Sequence, residues 1–171
     1  MKDRIMKAAT IIIMAGMLGG VMCGQASKKL YDPSLDGMHQ IKEAAATAEA
    51  ENKHVLIQYG GNWCPWCIKF HRFCSDDEEI SRLISENYIP VKLNYSSENR
   101  NYEANSYLGN PARFGFPVLI ILDGKGKVLH IQDSGLLEEG ESYNRSKVIA
   151  FFRNWTPAAL IPEEPETGQN K

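Results

Sequence analysis

The sequence predicts an α/β domain in which strands and helices alternate, and three observations carry that prediction. Short apolar runs rich in β-branched residues, HVLIQY at 54–59, YIPVKLNY at 88–95 and FPVLIIL at 116–122, are bounded by glycine, serine, asparagine or aspartate. Between and around them lie stretches whose apolar residues recur at helical spacing. Finally, 171 residues at 43% apolar content suffice for one globular core. A formal net charge of −2 leaves no basic footprint, so nucleic acid is excluded as an expected partner.

The chain opens on MKDRIMK and then AATIIIMAGMLGGVM, a basic lead followed by about fifteen apolar residues, which is the layout of a secretory signal peptide. That apolar run is too short for a comfortable membrane span. Gly24 and Ala26 supply small residues for cleavage after Ala26, giving expected boundaries of 1–26 for the signal, 27–156 for the domain and 157–171 for a polar tail. Cys23 offers a second reading, a lipid anchor on that cysteine with the signal ending before it, although Met22 is bulkier than the small residue usual at that point. An uncleaved anchor helix is the third. All three put the domain in the periplasm or otherwise outside the cytoplasm, where thiols meet oxidising surroundings.

Residues 27–37 are polar and turn-forming, and MHQIKEAAATAEAENK at 38–53 then reads as an amphipathic helix with Ile41, Ala45 and Ala48 on one face. HVLIQY fits a buried strand, broken by Gly-Gly-Asn, and feeds directly into GNWCPWCIKFHRFC at 61–74. Ser75 stands where an N-cap belongs, ahead of the acids of DDEEISRLISEN, so a second helix separate from the sulfur-rich one is expected. A second strand at YIPVKLNY precedes a loop with a short helix, SSENRNYEANSYLGN. FPVLIILDGKGKVLHIQD gives two strands joined through Asp123-Gly124. YNRSKVIAFFRNW closes the domain with a helix whose apolar face is Val148, Phe151, Phe152 and Trp155, and the acidic, proline-containing end reads as a disordered tail.

Chemistry concentrates at Cys64-Pro65-Trp66-Cys67. A C-x-x-C pair that leaves a strand and opens a helix is placed for redox work. A thiolate at a helix N-terminus meets unpaired N–H groups and the positive end of the dipole, which lowers its pKa from about 8.5 toward roughly 3.5 to 7.5. Cys64 is therefore the expected nucleophile, and Cys67, one turn on, the thiol that resolves the mixed disulfide. Cys64, Cys67, His71 and Cys74 also form a stripe of zinc-type ligands. Ten residues of helix span about 15 Å, however, while zinc ligands lie about 2.0 to 2.3 Å from one ion, so no metal is expected. His71 reads as a partly exposed helix residue and Cys74 as a small buried hydrophobe. Trp63 and Trp66, flanking the nucleophile, read as a docking surface.

The succession HVLIQY, WCPWC, IPVKLN, GFP and VLIILDGKGKVL resembles the thioredoxin superfamily across nearly the whole mature domain. The layout WCPWCIKFHRFCSDDEEI is similar to the periplasmic domain of the membrane-bound disulfide reductase and to secreted thioredoxin-like proteins. The resemblance implies a thioredoxin fold, a central mixed β-sheet flanked by helices, with an N-terminal helical extension. It also implies thiol–disulfide exchange with protein disulfides, reducing power from a membrane electron donor of the disulfide-reductase type, and no cofactor beyond the redox-active disulfide Cys64–Cys67. Phe116-Pro117 matches the family's cis-proline, where the preceding residue pairs its backbone with an extended substrate, and Lys92 matches a buried lysine. One departure stands out. Six residues before the nucleophile, where thioredoxins carry a buried aspartate that assists the resolving cysteine, this chain has Gln58, which cannot accept and release a proton. That leaves proton transfer to water, Lys92 or a nearby acid. Oxidase and isomerase directions stay open, as does a binding module whose cysteines form only a structural disulfide.

Overall fold

The computed structural model describes residues 29–162; the expected signal, Cys23 and the segment from 163 onward lie outside the described residues. Four strands make the main sheet: β1 His54–Gly60, β2 Tyr88–Asn94, β3 Val118–Leu122 and β4 Val128–Asp133, in spatial order β2-β1-β3-β4. β1 runs parallel to β2 and antiparallel to β3, and β3 antiparallel to β4, so the sheet is mixed. β1 and β3 are buried along their whole length, which is why they read as continuous apolar runs instead of alternating ones.

Two apolar layers sandwich the sheet, and the two-residue period of a strand decides which side chain enters which. Val55, Ile57 and Tyr59 of β1 join Leu93, Ile120 and Leu122 under α1 Gly37–Glu51 and α4 Tyr102–Tyr107. Leu56 faces the other way with Leu119 and Ile121, against α2 Pro65–Asp76, α3 Glu78–Asn87 and α5 Arg145–Asn154. Gln58 shares the parity of Leu56 and so points at α2, the helix that carries the cysteines.

Three local readings of the sequence are revised. Ser75 does not cap a helix: it lies inside α2, where its hydroxyl donates to His71 O at 2.9 Å, and Asp77 caps α3 by accepting from Glu79 N and Ile80 N, each at 3.0 Å. An N-cap carboxylate that also pairs with Arg145 at 2.6 Å has more to offer the helix start than a serine two residues earlier. The β3–β4 connection is longer than an Asp-Gly turn. Asp123 accepts from both Lys125 N and Lys127 N at 2.9 Å, and the positive φ of +84° falls on Gly126, the residue able to adopt it without strain. Residues 134–142, given no element by their sequence, and Tyr143, expected to open the last helix, form a 3-10 turn and a small hairpin of β5 Glu138–Glu139 with β6 Ser142–Tyr143. A further 3-10 turn, Ala158–Leu160, stands within the stretch expected to be tail.

β2 is an edge strand, paired only with β1, and Pro90 sits exposed at its middle opposite Leu56. Proline has no N–H to give a ladder and is tolerated in sheets at such edges.

Candidate active site

β1 ends at Gly60, the backbone turns over residues 61–63, and Cys64 becomes the N-cap of α2 with Pro65 at the first helical position. Proline is favoured there because its missing N–H would have no intrahelical partner. The Cys64 Sγ takes the place of a capping oxygen and accepts from Cys67 N at 3.2 Å. A Cys67 thiol donating to Cys64, helped by the N–H groups of Cys67 and Trp66, outweighs burial and brings the Cys64 pKa down to about 7. The same hydrogen bond, followed by burial, pushes Cys67 well above the ordinary thiol range, because the shared proton stays on its sulfur. Both are buried, Cys67 completely and Cys64 with 4% of its area exposed. One sulfur ionises near neutrality and the other holds its proton.

This split is measurable. In the reduced protein, alkylation by iodoacetamide is expected at Cys64 before Cys67 or Cys74, half-maximal near pH 7 and falling about tenfold per pH unit below it. Mass analysis of the labelled peptide reads the outcome; a midpoint above pH 8.5 would show that the helix start leaves this thiol unactivated.

The Phe116–Pro117 peptide is cis, and it brings Phe116 O to 3.6 Å from Cys64 Sγ, which donates to it as a thiol. Around this point aromatic rings form a surface. Trp63, 53% exposed, stands edge-on to Phe116 at 5.2 Å and donates through its ring N–H to Tyr95 O at 2.6 Å. Tyr95 stacks on Phe116 at 5.0 Å. Trp66 is placed differently: half-buried, it packs edge-on against Tyr143 of β6 at 5.4 Å, with Lys69 Nζ 4.3 Å from its ring. Trp63 thus sits against Phe116, while Trp66 packs both against the cluster of Cys64, Cys67 and Tyr31 and against Tyr143.

Beneath them Gln58 is almost wholly buried and fully hydrogen-bonded. Lys92 Nζ donates to Gln58 Oε1 at 2.6 Å, and Gln58 Nε2 donates to Cys67 O at 2.8 Å and to the Tyr31 hydroxyl at 2.7 Å. Burial holds the Lys92 pKa down to about 8. His71 and Cys74 are not beside Cys64. They line a cleft of about 250 Å³ between α2, α3 and the sheet, along with Lys92 and Gln58, where burial pushes the Cys74 thiol up to about 12.

Tyr31 is the residue that sequence reasoning missed. It comes from the strap before α1, is completely buried, and packs with Cys64 and Cys67 as one cluster. Its N–H donates to Asn62 Oδ1 at 3.0 Å and its carbonyl accepts from Asn62 Nδ2 at 2.7 Å. The only signal was an aromatic residue in an otherwise polar, turn-rich stretch, and nothing local told where that ring would land.

Residues 36–124 match the family model described as Thioredoxin-like. A 52-residue stretch is 36% identical to Spermatogenesis-associated protein 20 of Homo sapiens, and the Mus musculus protein matches to the same extent. The stretch covers 30% of this chain but 7% of those proteins, so the chain spans well under a tenth of these curated relatives. Among solved structures, a disulphide isomerase from Xylella fastidiosa Temecula1 is similar with a TM-score of 0.66 and 26% identity, over 75% of this chain and 98% of that one.

Proposed function

Since the chain belongs to the thioredoxin-like family, we propose that it is a thiol–disulfide oxidoreductase acting on protein disulfides, with Cys64 as nucleophile and Cys67 as resolving thiol. The single observation behind this is the geometry of the pair: Cys64 caps the start of α2, its sulfur accepting from Cys67 N at 3.2 Å, with Cys67 fully buried behind it. In exchange, the Cys64 thiolate attacks a substrate disulfide and expels one substrate sulfur. Cys67 then attacks Cys64 Sγ, releasing the second and leaving Cys64–Cys67 oxidised. Trp63, Phe116 and Pro117 offer an extended substrate an aromatic surface and the free carbonyl edge beside Cys64.

The proposal extends to a reductase outside the cytoplasm, kept reduced by a membrane electron donor, for which the apolar leader and the WCPWC layout are the support. The test is insulin reduction by dithiothreitol: the protein is expected to bring forward the precipitation of the freed chains. A folded protein with intact Cys64 and Cys67 that leaves this time course unchanged would instead be a binding module. Titrating the pair in glutathione buffers then gives the direction, since reductants of this kind lie near about −270 mV and strong oxidants near about −120 mV. Isomerase activity is the second reading, favoured by the likeness to the bacterial disulphide isomerase. Recovery of activity from scrambled ribonuclease, without added oxidant, separates it from simple reduction.

A further inference from the structure

The aspartate that would take a proton from the resolving cysteine is replaced by Gln58, and the hydrogen bonds around Gln58 show what stands in for it. An ammonium group can only donate, so the contact with Lys92 Nζ at 2.6 Å fixes Oε1 of Gln58 as the acceptor on that side. The amide nitrogen must then face the opposite way, where it donates to Cys67 O and to the Tyr31 oxygen. With its oxygen occupied as an acceptor, the Tyr31 hydroxyl has its own hydrogen left to place. Cys67 borders the same space: a methyl added at Gly60 would meet Cys67 Sγ at 2.4 Å and the Tyr31 oxygen at 3.2 Å, and Tyr31, Cys64 and Cys67 form one buried cluster.

We propose that Tyr31 is a catalytic residue of the resolving step, its hydroxyl donating to Cys67 Sγ at the end of a one-way chain of donors, Lys92 to Gln58 to Tyr31 to sulfur. The inference rests on the exchange reading above and names how its second half proceeds. In the resting dithiol the Cys67 proton is held by the Cys64 thiolate. Once Cys64 is tied up in a mixed disulfide that acceptor is gone, and the Tyr31 hydrogen bond remains to hold Cys67 as a thiolate. The Cys64–Cys67 bond then forms, the bond between Cys64 and the substrate sulfur breaks, and the departing sulfur leaves with the electron pair. The proton lost by Cys67 ends on that sulfur or in the buffer. Tyr31 gives up no proton: burial first, then Cys67, raises its pKa far above neutrality, so it stays a donor. The Asn62 clamp, two residues before Cys64, ties the strap that carries the hydroxyl to the loop that carries the nucleophile. The ionisable groups facing Cys67 are Cys64 on its own helix, Tyr31 from the strap, Lys92 from β2 and Tyr143 from β6.

The experiment mixes reduced protein rapidly with one equivalent of dithiobis(nitrobenzoate). Attack by Cys64 releases a first nitrothiobenzoate and resolution by Cys67 a second, so the two halves appear as separate phases, with Cys74 buried and too poorly ionised to enter either. In Tyr31→Phe the first phase is expected within about twofold of the parent, while the second slows about ten- to hundred-fold near neutral pH, the worth of a hydrogen bond to a charged group. Its pH midpoint should rise by about one to two units, so that the difference closes in alkali. Packing damage alone would not move that midpoint. Asn62→Ala, which keeps the hydroxyl but loosens its seat, should give a smaller shift in the same direction, and it carries the test if Tyr31→Phe melts early. A folded Tyr31→Phe protein, or failing that a folded Asn62→Ala protein, with second-phase rate and midpoint unchanged overturns the assignment. Absence of the first phase in the parent overturns the exchange reading itself.

Discussion

Cys64→Ser is expected to abolish disulfide exchange, and Cys67→Ser to turn the protein into a trap that accumulates mixed disulfides. The asymmetry comes from what each sulfur does. Without Cys64 no thiolate stands at the start of α2; serine caps the helix equally well but has no sulfur to exchange. Cys67 is sealed beneath it and fully buried, out of reach of a protein disulfide, so it does not substitute. Loss of Cys67 spares the first attack and removes the second, so the partner stays attached. It also takes away the thiol that holds the Cys64 pKa near 7, so trapping should need a somewhat higher pH than exchange by the parent. Non-reducing electrophoresis against a disulfide-bonded protein distinguishes the two variants. Adducts on Cys64→Ser with none on Cys67→Ser would reverse the roles.

Gly60→Ala is the second large effect. The last residue of β1 has no room for a Cβ: Cys67 Sγ would lie at 2.4 Å, Tyr31 Oη at 3.2 Å and Cys67 Cβ at 3.6 Å. Neither neighbour is the loose end of a flexible chain. Cys67 is rooted in the first turn of α2, and Tyr31 is held by Gln58 at its hydroxyl and Asn62 at its backbone. Relief therefore requires moving the helix start or the strap. Overpacking of this kind costs about 1 to 3 kcal/mol, a melting decrease of several degrees for a domain of this size, roughly 2–8 °C per kcal/mol. The resolving step should slow as well, because the displaced atoms are the resolving sulfur and its donor. Thermal denaturation and the two-phase nitrothiobenzoate release measure both. A variant as stable and as fast as the parent would mean that the space at Gly60 is larger than the geometry allows.

The parts of this protein that were legible in its sequence are those whose causes are local. HVLIQY and VLIIL announce buried strands because their surroundings are apolar on both faces. Cys64-Pro65-Trp66-Cys67 announces a helix start because proline and a capping side chain act within one turn. The features that were illegible are settled by partners distant in the chain. Tyr31 meets Gln58 and Asn62 only after the chain has folded back across about thirty residues, at separations of 27 and 31. Asp77 outcompetes Ser75 as a cap partly because Arg145, 68 residues further on, reaches it. The packing of Trp66 on Tyr143, 77 residues further on, is likewise not visible in the local sequence. Gln58 was readable as a departure from aspartate, but its orientation depends on Lys92 in the neighbouring strand.

Pro90 at the middle of β2 bears on the disulfide exchange proposed above. A substrate for disulfide exchange is presented as a loose, extended segment, and the open edge of a sheet is an indiscriminate receptor for such segments, including those of other copies of the same protein. With an exposed proline in the bordering strand, a regular ladder cannot be continued along that edge. An incoming chain is thereby discouraged from annealing to the sheet at a place with no chemistry. The backbone at Phe116, beside the Cys64 sulfur, is the landing place proposed above. On the exchange function proposed above, the irregular strand acts as a filter on docking at the β2 edge of the sheet.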